Sequence, residues 1–583
     1  MEIVLKALAI PEILALILSY LPTTDSDLSS KDLLHCALVS QSWKDTSLEV
    51  LWGCLKHLIP LFKIMAPVRV TEFTTIRFIN NGPGNLGSRS PQVCEFEPHA
   101  IGERIKNWTR FRYYASFVGS AQITILTNHG MVSGHSRQYY HPQMIRQATS
   151  IARAMDSPLL HRATKLKLTV YDAESGEAAM ELLHEGLQDL SLEWFYDAST
   201  SIPLLLLRMC HCSSGLNRLE LKSPNPSTNK TIAPQLAITL RSMHNLKILQ
   251  IPLTMVYPPV WHALHSMNLK SVFLMGGGVI PLTQSDLHFM AEGPSFMALT
   301  LAPREAETLF SSQSCSQSIS RFHITIDPIG AGAPLSSLLL NIPAVLPNTK
   351  SLSIILRGDP LNYSGSSFGP LGQMALTKLN IQLPNFDLFP DQGFERIFCF
   401  LPEIMHLKLL PSSLSTPRAT LRTLGFIAEH CRNIRSVAIR LDCTKSALPS
   451  TSFPRPFGPC LEKLDMEFSP VEDEMAVAMT LIPLFPEGIP DIQSSPISFG
   501  HARLQYQHAQ SSTEFTSRWQ GVHSALQALR RIIQSARAQD LERLAELETQ
   551  LKTQDRLLFE AHSRLLELEG GFEGTDPKTI DGE

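Results

Sequence analysis

Residues 216–221 read Leu-Asn-Arg-Leu-Glu-Leu, and residues 246–251 read Leu-Lys-Ile-Leu-Gln-Ile. Both hexapeptides carry apolar side chains at their first, fourth and sixth positions. Apolar and polar positions alternate over the second half of each hexapeptide, and this period of two is typical of a short β-strand that buries one face. Recurrence of this six-residue unit is the property of the sequence that decides the fold.

The unit returns along the middle of the chain at a nearly constant spacing. Its twelve copies begin at Ala163, Leu187, Leu216, Leu246, Leu269, Phe296, Ile319, Thr349, Leu376, Ile404, Ile434 and Leu461. The eleven steps between residues 163 and 461 average about 27 residues, which lies inside the period range of leucine-rich repeats. Segments with helical spacing lie between several predicted strands, at residues 232–243, 258–267, 304–311, 334–345, 391–401 and 416–431.

A single unit of this kind cannot bury its own apolar face, whereas stacked units bury one continuous core. The sequence therefore predicts an α/β solenoid that has parallel strands on the concave side and helices outside. Twelve strands about 4.8 Å apart would extend on the order of 55 Å, which suits a protein ligand better than a metabolite. The units resemble leucine-rich repeats, although no regular Asn or Cys follows the strands. The alternative is an ordinary α/β domain with several parallel strands.

The first 52 residues carry a second pattern. Residues 10–21 read Ile-Pro-Glu-Ile-Leu-Ala-Leu-Ile-Leu-Ser-Tyr-Leu, and their apolar side chains form one stripe of a helix. Residues 36–43 read Cys-Ala-Leu-Val-Ser-Gln-Ser-Trp, and Leu51 and Trp52 follow. A module of about 45 residues buries little of its own surface. We therefore expect the stripe to be covered by a partner.

This stretch resembles an F-box. The family pattern is a Leu-Pro-x-Glu-Leu/Ile-Leu opening, an apolar helix ending near Tyr-Leu, an Ala-Leu-Val-x-x-x-Trp helix and a final Leu-Trp; here Ile10 stands where the family has its first Leu. The resemblance covers about a tenth of the chain, and it implies binding to a Skp-type adaptor and through it to a cullin. Carried onto this sequence, the predicted adaptor-binding residues are Pro11, Ile13, Leu14, Ile17, Leu18, Leu21, Leu38, Val39 and Trp43.

Two other interpretations of the amino-terminal stripe remain open. A signal peptide or membrane anchor is disfavoured because Lys6 and Glu12 interrupt the apolar run and no small-residue cleavage site follows. An ordinary pair of helices that caps the following domain would give a similar stripe.

A candidate target-binding surface comes from the side chains that flank the buried pair of each strand. Most of these outward positions are polar, but three neighbouring repeats offer Ile248, Phe273, Met275, Ala298 and Ala302. An apolar patch inside a polar rim is typical of a protein-binding site. The alternative is that a neighbouring helix or loop covers these residues.

Residues 513–569 contain no proline and follow a 3-4 apolar spacing. The apolar positions are Trp519, Val522, Leu526, Leu529, Ile533 and Ala536, then, after a four-residue shift, Leu544, Leu547, Leu551, Leu558, Ala561, Leu565 and Leu568. This pattern indicates a heptad seam with a stutter. It predicts a helix about 85 Å long. Such a helix either forms a coiled-coil homodimer or partner handle, or is solvated or docked on the rest of the chain.

These patterns divide the chain into six predicted regions. They are an F-box at 1–60, irregular first repeats with a long loop at 61–160, the repeat solenoid at 161–470, a Pro-rich linker at 471–512, the long helix at 513–569 and a disordered tail at 570–583. Within 61–160, Phe73-Ile76-Phe78 and Ser120-Ile123-Ile125 look like degraded first units.

Composition excludes several classes of function. With 50 basic and 54 acidic residues the net charge is −4, which gives no reason to expect a nucleic-acid partner. The ten scattered cysteines and the absence of a membrane segment indicate a cytoplasmic or nuclear protein. Phosphate-loop, nucleophile-elbow and zinc-protease motifs are absent, so we expect neither catalysis nor a cofactor or metal. The sequence thus predicts a non-catalytic substrate-recognition subunit of an SCF-type ubiquitin ligase, or a repeat scaffold that acts outside ubiquitin transfer.

Overall fold

The computed structural model divides the chain into two compact units, Met1–Pro384 and Asn385–Glu583. The structure describes residues 10–19, 35–38, 41–55, 57–72, 92–98, 105–127, 138–197, 200–212, 214–223, 226–275, 294–311, 315–326, 335–356, 364–383, 386–411, 416–444, 447–448, 453–467, 469–493 and 502–570. Phe73-Ile76-Phe78, one predicted early unit, and residues 571–583 of the predicted tail lie outside this set.

The first unit begins with helices and a small mixed sheet. Its elements in chain order are α1 Pro11–Ser19, a helical turn at 35–38, α2 Gln41–Trp52, β1 Cys54–Leu55, α3 Ile59–Met65, β2 Val68–Glu72, β3 Gln92–Phe96, α4 Trp108–Ala115, β4 Ser120–Ile125 and β5 Gln138–Tyr140. Strand β3 pairs antiparallel with β2 and parallel with β5.

A regular alternation of strands and helices follows in the first unit. The elements are α5 Pro142–Ala154, β6 Lys165–Asp172, α6 Ala173–Met180, β7 Asp189–Asp197, α7 Ile202–Cys212, β8 Arg218–Lys222, α8 Pro226–Ser242, β9 Ile248–Pro252, α9 Pro258–His265, β10 Ser271–Met275, β11 Phe296–Leu301, α10 Pro303–Ser311, β12 Arg321–Ile326, α11 Leu335–Val345, β13 Ser351–Leu356 and β14 Lys378–Leu383. Short 3₁₀ helices lie at Leu253–Met255 and Gly365–Gln373.

Eleven strands of the first unit, β1, β4 and β6 to β14, form one parallel ladder. From β1 it passes to β4 and β6, and then through consecutive strands to β14. The register places like positions of the repeat side by side: Leu219 pairs with Leu249, and Leu249 pairs with Val272. These side chains are fully buried. The predicted α/β class and the parallel strands are therefore confirmed.

A repeated backbone contact fixes this register. At the start of a strand, two successive N–H groups donate to a single carbonyl of the preceding repeat. The amides of Asn217 and Arg218 donate to the Gln188 carbonyl at 2.8 and 2.9 Å, and the Asn217 carbonyl in turn accepts from Lys247 and Ile248. The same double contact recurs at most steps of the ladder, for example where Ser320 and Arg321 donate to the Ser295 carbonyl, and it pairs backbone groups that would otherwise be unsatisfied at the strand ends.

The repeated contact begins earlier in the chain than the sequence indicated. The Gly53 carbonyl, directly after α2, accepts from the amides of Gly119 and Ser120 at 3.0 and 2.8 Å. Strand β1 is therefore the first rung of the ladder, one rung before the predicted early unit at 120–125. The first repeat starts where the amino-terminal helices end.

Two predicted units were placed two residues too late. The register pairs Val272 with Met297 and Leu274 with Leu299, so Met297 and Leu299 form the buried pair of β11. The predicted unit had used Phe296, Leu299 and Leu301. The error at Ser120-Ile123-Ile125 has the same form, because Ala121 and Ile123 pair with Leu166 and Leu168. A period of two is unchanged by a shift of two residues, so the alternation alone does not select the register.

The second unit continues the same alternation. Its elements are a 3₁₀ turn Phe386–Leu388, α12 Asp391–Phe398, β15 His406–Pro411, α13 Arg422–His430, β16 Ser436–Ile439, β17 Lys463–Asp465, α14 Glu474–Leu481, a 3₁₀ turn Ile482–Leu484, β18 Asp491–Gln493 and α15 Ala502–Gly570. Strands β15 to β18 pair parallel in consecutive order. The interval predicted as a Pro-rich linker, 471–512, thus contains α14, β18 and the first residues of α15.

Candidate functional site

The amino-terminal helices are held together by the inner side of the predicted stripe. Leu14 and Leu18 of α1 are each only 2% exposed, and they pack against Cys36, Trp43, Val50 and Leu51. These two leucines therefore form the small core of the module. Trp43 is partly buried beside them, so it also belongs to the inner side.

The outer side of the same helix remains open. Ile13 and Ile17 of α1 are 37% and 46% exposed, and Leu38 of the helical turn is 76% exposed. Ile10 and Leu16 lie on the surface as well. Exposed apolar side chains concentrated on one short segment are unusual for an isolated soluble protein surface. The structure thus leaves an apolar surface at this end of the first unit.

The structure divides the nine predicted adaptor-binding residues. Ile13, Ile17 and Leu38 are exposed, whereas Leu14, Leu18 and Trp43 point into the module. Pro11 is the first residue of α1, and its side chain is not described. Leu21 and Val39 lie outside the described residues. Of these six residues whose side chains are described, the three exposed ones are therefore those available for direct contact with a partner.

Helix α2 anchors the module to the first repeat. The Tyr113 hydroxyl of α4 donates to Asp45 Oδ1 at 2.9 Å, and Lys44 Nζ lies 5.4 Å from the centroid of the same ring. The ring centroids of Trp52 and Tyr114 are 5.2 Å apart. These contacts position the exposed side of α1 with respect to the repeats of the first unit.

The second candidate surface lies on the outward side of β9, β10 and β11. Ile248 stands in register with Ser271 and Phe296, and the rings of Phe273 and Phe296 have centroids 4.9 Å apart. Phe296 is a member of this surface that sequence reasoning missed, because the shifted register had assigned it to the core. We call Ile248, Phe273, Met275 and Phe296 the β9–β11 patch.

Two other predicted members do not belong to this patch. Ala298 is in register with Phe273 but is buried between its neighbours. Ala302 lies beyond the end of β11, and its amide donates to Glu305 Oε2 at 3.0 Å, next to the start of α10. A methyl group at either position contributes little to an open surface.

Charged and polar side chains border the β9–β11 patch. Arg218 precedes Ile248 in the same row of the sheet. On the other side, the Arg321 guanidinium carbon lies 5.7 Å from the Phe296 ring centroid. Next in the row of Phe273, beyond Ala298, His323 Nδ1 and Ser353 Oγ are 2.8 Å apart. Aromatic side chains beside arginines are the composition typical of strong contact points in protein interfaces.

The second unit carries charge on its outward strand positions. Lys408 of β15 is in register with Ala438, which is in register with Asp465. Lys408 Nζ lies 3.3 Å from Glu467 Oε1. The Glu467 side chain is only 2% exposed, and its Oε2 has no hydrogen-bond partner. Burial raises the pKa of this carboxyl to about 7; Lys408 opposes the rise and Asp465 adds to it.

Among the described residues, hydroxyl and thiol side chains lie beside imidazoles, as where Ser353 Oγ is 2.8 Å from His323 Nδ1 and Cys399 Sγ is 3.5 Å from His430 Nε2. Loss of hydration and the nearby Glu395 carboxylate raise the pKa of this thiol, which is the opposite of what an activated nucleophile needs. Among the described residues no group of His, Cys, Asp and Glu has the geometry to hold a metal ion. None of the described helices is both long and apolar enough to cross a bilayer.

Comparisons with known proteins give no family. No protein-family model matches the chain, and neither does any curated protein. Among solved structures, the leucine-rich repeat-containing protein LegL7 from Legionella pneumophila is 16% identical; the match covers 54% of this chain and 95% of LegL7, with a TM-score of 0.31.

Two further structures show a similar degree of likeness. The match with the yeast complex of Rad7 and Elc1 has 12% sequence identity and a TM-score of 0.28. It covers 65% of this chain and 79% of that chain. The match with the complex of TLR13 and ssRNA13 has 12% sequence identity and a TM-score of 0.29. It covers 61% of this chain and 57% of that chain. TM-scores near 0.3 are too low to assign a function, so the functional argument depends on the residues of this chain.

Proposed function

We propose that this chain is a non-catalytic substrate-recognition subunit of an SCF-type cullin–RING ubiquitin ligase in the cytoplasm or nucleus. Its amino-terminal helices would bind a Skp-type adaptor, and through it a cullin. The outward face of the repeats would bind a protein target. A receptor of this kind accelerates transfer by holding the target near a ubiquitin-loaded enzyme, which replaces a bimolecular encounter with a tethered one.

The exposed side of α1 is the observation on which this proposal depends. Ile13, Ile17 and Leu38 match F-box positions in the sequence and are open to solvent, while Leu14 and Leu18 already hold the module together. Burying a side chain of this size stabilises an interface by about 1.5–3 kcal/mol. Leu38 has most of its area left to bury, whereas Ile13 and Ile17 are already more than half buried and would gain less.

Substitution of the outer residues tests the adaptor site. Replacement of Ile13 and Ile17 by Asp should abolish co-purification with a Skp-type adaptor, because it places two charges in the buried interface. The thermal unfolding of the chain should not change, since both side chains are exposed. A control is Ile238→Asp on α8, because this side chain is also exposed, at 56%, but lies far along the repeats.

Inner-side variants are unsuitable as the primary test. Leu14→Ala with Leu18→Ala removes the core of the module, so loss of binding would follow from local unfolding as well as from loss of contact. Normal adaptor binding by the Ile13→Asp, Ile17→Asp variant would contradict the proposal. It would favour the alternative, a repeat scaffold that acts outside ubiquitin transfer and that the amino-terminal helices merely cap.

The β9–β11 patch is the proposed target site. Phe273→Asp with Met275→Asp should abolish target capture from cell extract, read by mass spectrometry against the unmodified chain. Adaptor co-purification should persist, because α1 is unchanged. A loss of solubility or of thermal stability in this variant would instead mean that Phe273 and Met275 belong to the core.

A further inference from the structure

The long helix α15 has two halves with different environments. In its first half Trp519, Val522 and Leu526 are buried, and Trp519 Nε1 donates to the Ser469 carbonyl at 3.0 Å. Arg530 donates a hydrogen bond to the Glu487 carbonyl of the second unit at 2.6 Å. The first half of the predicted seam is therefore already used within the chain.

The second half of the helix is exposed and carries a row of leucines among charged residues. Leu544, Leu551, Leu558 and Leu565 recur at intervals of seven residues and are 57–67% exposed. Leu547 and Ala561 lie between them at the alternate positions, with Gln554 as the polar member. Apolar residues in this 3-4 alternation form the seam of a coiled coil, with Leu544 at position a and Leu547 at position d.

The charges beside the seam indicate which partner fits it. In a parallel, in-register pair, Arg543 at position g faces Glu548 at position e of the second chain, and symmetry provides this contact twice. The next two such pairs, Gln550 with Asp555 and Leu557 with His562, contain no like charges. A symmetric antiparallel pair would instead place Asp555 of one chain opposite Asp555 of the other, which is a repulsive contact between like charges.

We propose that residues 541–567 form a parallel, in-register coiled coil with a second copy of this chain. The seam supplies apolar layers at seven-residue intervals, and the g–e′ contacts select the parallel orientation. This proposal does not rest on adaptor or target binding, because it involves neither α1 nor the outward face of the strands. It narrows the predicted interface from 513–569 to the half of the helix that the second unit leaves uncovered.

Sedimentation velocity of the full chain tests the pairing. The unmodified protein should sediment at the mass of two chains at micromolar concentration, and Leu551→Asp with Leu558→Asp should sediment at the mass of one. A matched control is Phe559→Asp with Leu566→Asp, since both side chains are exposed apolar residues outside the a and d positions. This control should remain dimeric. A monomeric parent, an assembly larger than two chains or a dimeric seam variant would overturn the proposal.

Charge reversal tests the orientation. Arg543→Glu should raise the dimer dissociation constant several-fold, because it places two acidic pairs across the interface. Adding Glu548→Arg should restore the original value in a parallel pair. Failure of the double variant to recover would overturn the parallel arrangement. The Ile13→Asp, Ile17→Asp variant should dimerise normally, which separates this interface from the proposed adaptor site.

Discussion

At the scale of single residues, the Glu467 carboxyl is an ionisable group of the second unit that is almost completely buried. It is buried beside Lys408, whose own side chain is 46% exposed. Ionisation in such a site loses hydration that a single, partly solvated lysine does not replace. The pKa of about 7 follows from this imbalance. The group therefore titrates over a range in which ordinary carboxylates are already charged.

The raised pKa of Glu467 predicts a pH-dependent stability. Between pH 4.5 and 7 the folded chain keeps a proton that the unfolded chain has lost, so stability falls as the pH rises through this window and levels off above 7. Raising the pKa from 4.5 to about 7 corresponds to on the order of 3 kcal/mol. Glu467→Gln should remove this loss of stability at high pH. Denaturant unfolding at pH 5 and pH 8 would measure the free energy of unfolding of both chains.

A surface carboxylate provides the control for Glu467. Glu462 forms a solvated ion pair with Arg435, so Glu462→Gln should leave the pH dependence unchanged. The Glu467→Gln variant could instead be less stable than the parent chain by the same amount at both pH values. The ionised carboxylate would then be a net stabilising partner of Lys408. The inferred cause of the raised pKa would then be wrong.

Sequence reasoning at this scale grouped the apolar amino-terminal residues but could not divide them between a core and a surface. Leu14 and Leu18 differ from Ile13 and Ile17 only in the side of α1 that they occupy. All four are apolar and fit one broad stripe, which is wide enough to serve both a small core and a surface. The division depends on where Trp43 and Leu51 pack, and that is a tertiary contact.

At the scale of elements, the alternation of the repeat predicted the strands but not always their register. The predicted unit began at Phe296, two residues later than the pairing of Val272 with Met297 and of Leu274 with Leu299 requires. That unit put its first side chain in the core. The observed pairing of Ser271 with Phe296 puts that ring on the surface instead. Phe296 thereby joins the candidate target site.

The register of β11 can be tested by a pair of alanine variants. Met297→Ala removes a buried side chain and should destabilise the chain by about 2–5 kcal/mol. Phe296→Ala removes a half-buried ring whose main partner is Phe273, and it should cost about 0.5–1.5 kcal/mol. Chemical denaturation of both variants measures the difference. A larger loss for Phe296→Ala would show that the register inferred from the sequence was correct.

The boundaries of the repeats were harder to predict than their existence. Strand β18 and helix α14 lie in a stretch that was interpreted as a linker because it contains several prolines. Ile492 nevertheless pairs with Leu464, as the repeat requires. A three-residue strand gives too few positions for a period to be recognised, and the proline-rich connections on either side conceal it.

At the scale of the whole molecule, the amino-terminal helices and the repeats of the first unit form one continuous structure. The Gly53 carbonyl that ends α2 starts the ladder, and β1 pairs with β4 alone among the strands that the structure describes. An uncovered first repeat exposes both apolar surface and unpaired backbone groups. Helix α2 therefore acts as a cap for the repeats as well as a support for α1.

This continuity predicts that the amino-terminal helices cannot be removed cleanly. A chain that begins at Gly53 loses the Tyr113 hydrogen bond to Asp45 and the Trp52–Tyr114 contact. We expect its first unfolding transition to fall by about 5 °C or more, because a loss of several kcal/mol shifts the midpoint by at least that amount. The Ile13→Asp, Ile17→Asp variant should unfold at the parent temperature. Equal midpoints for the truncated and parent chains would mean that α1 and α2 are an independent module, and that a truncation tests adaptor binding as well as the point variants do.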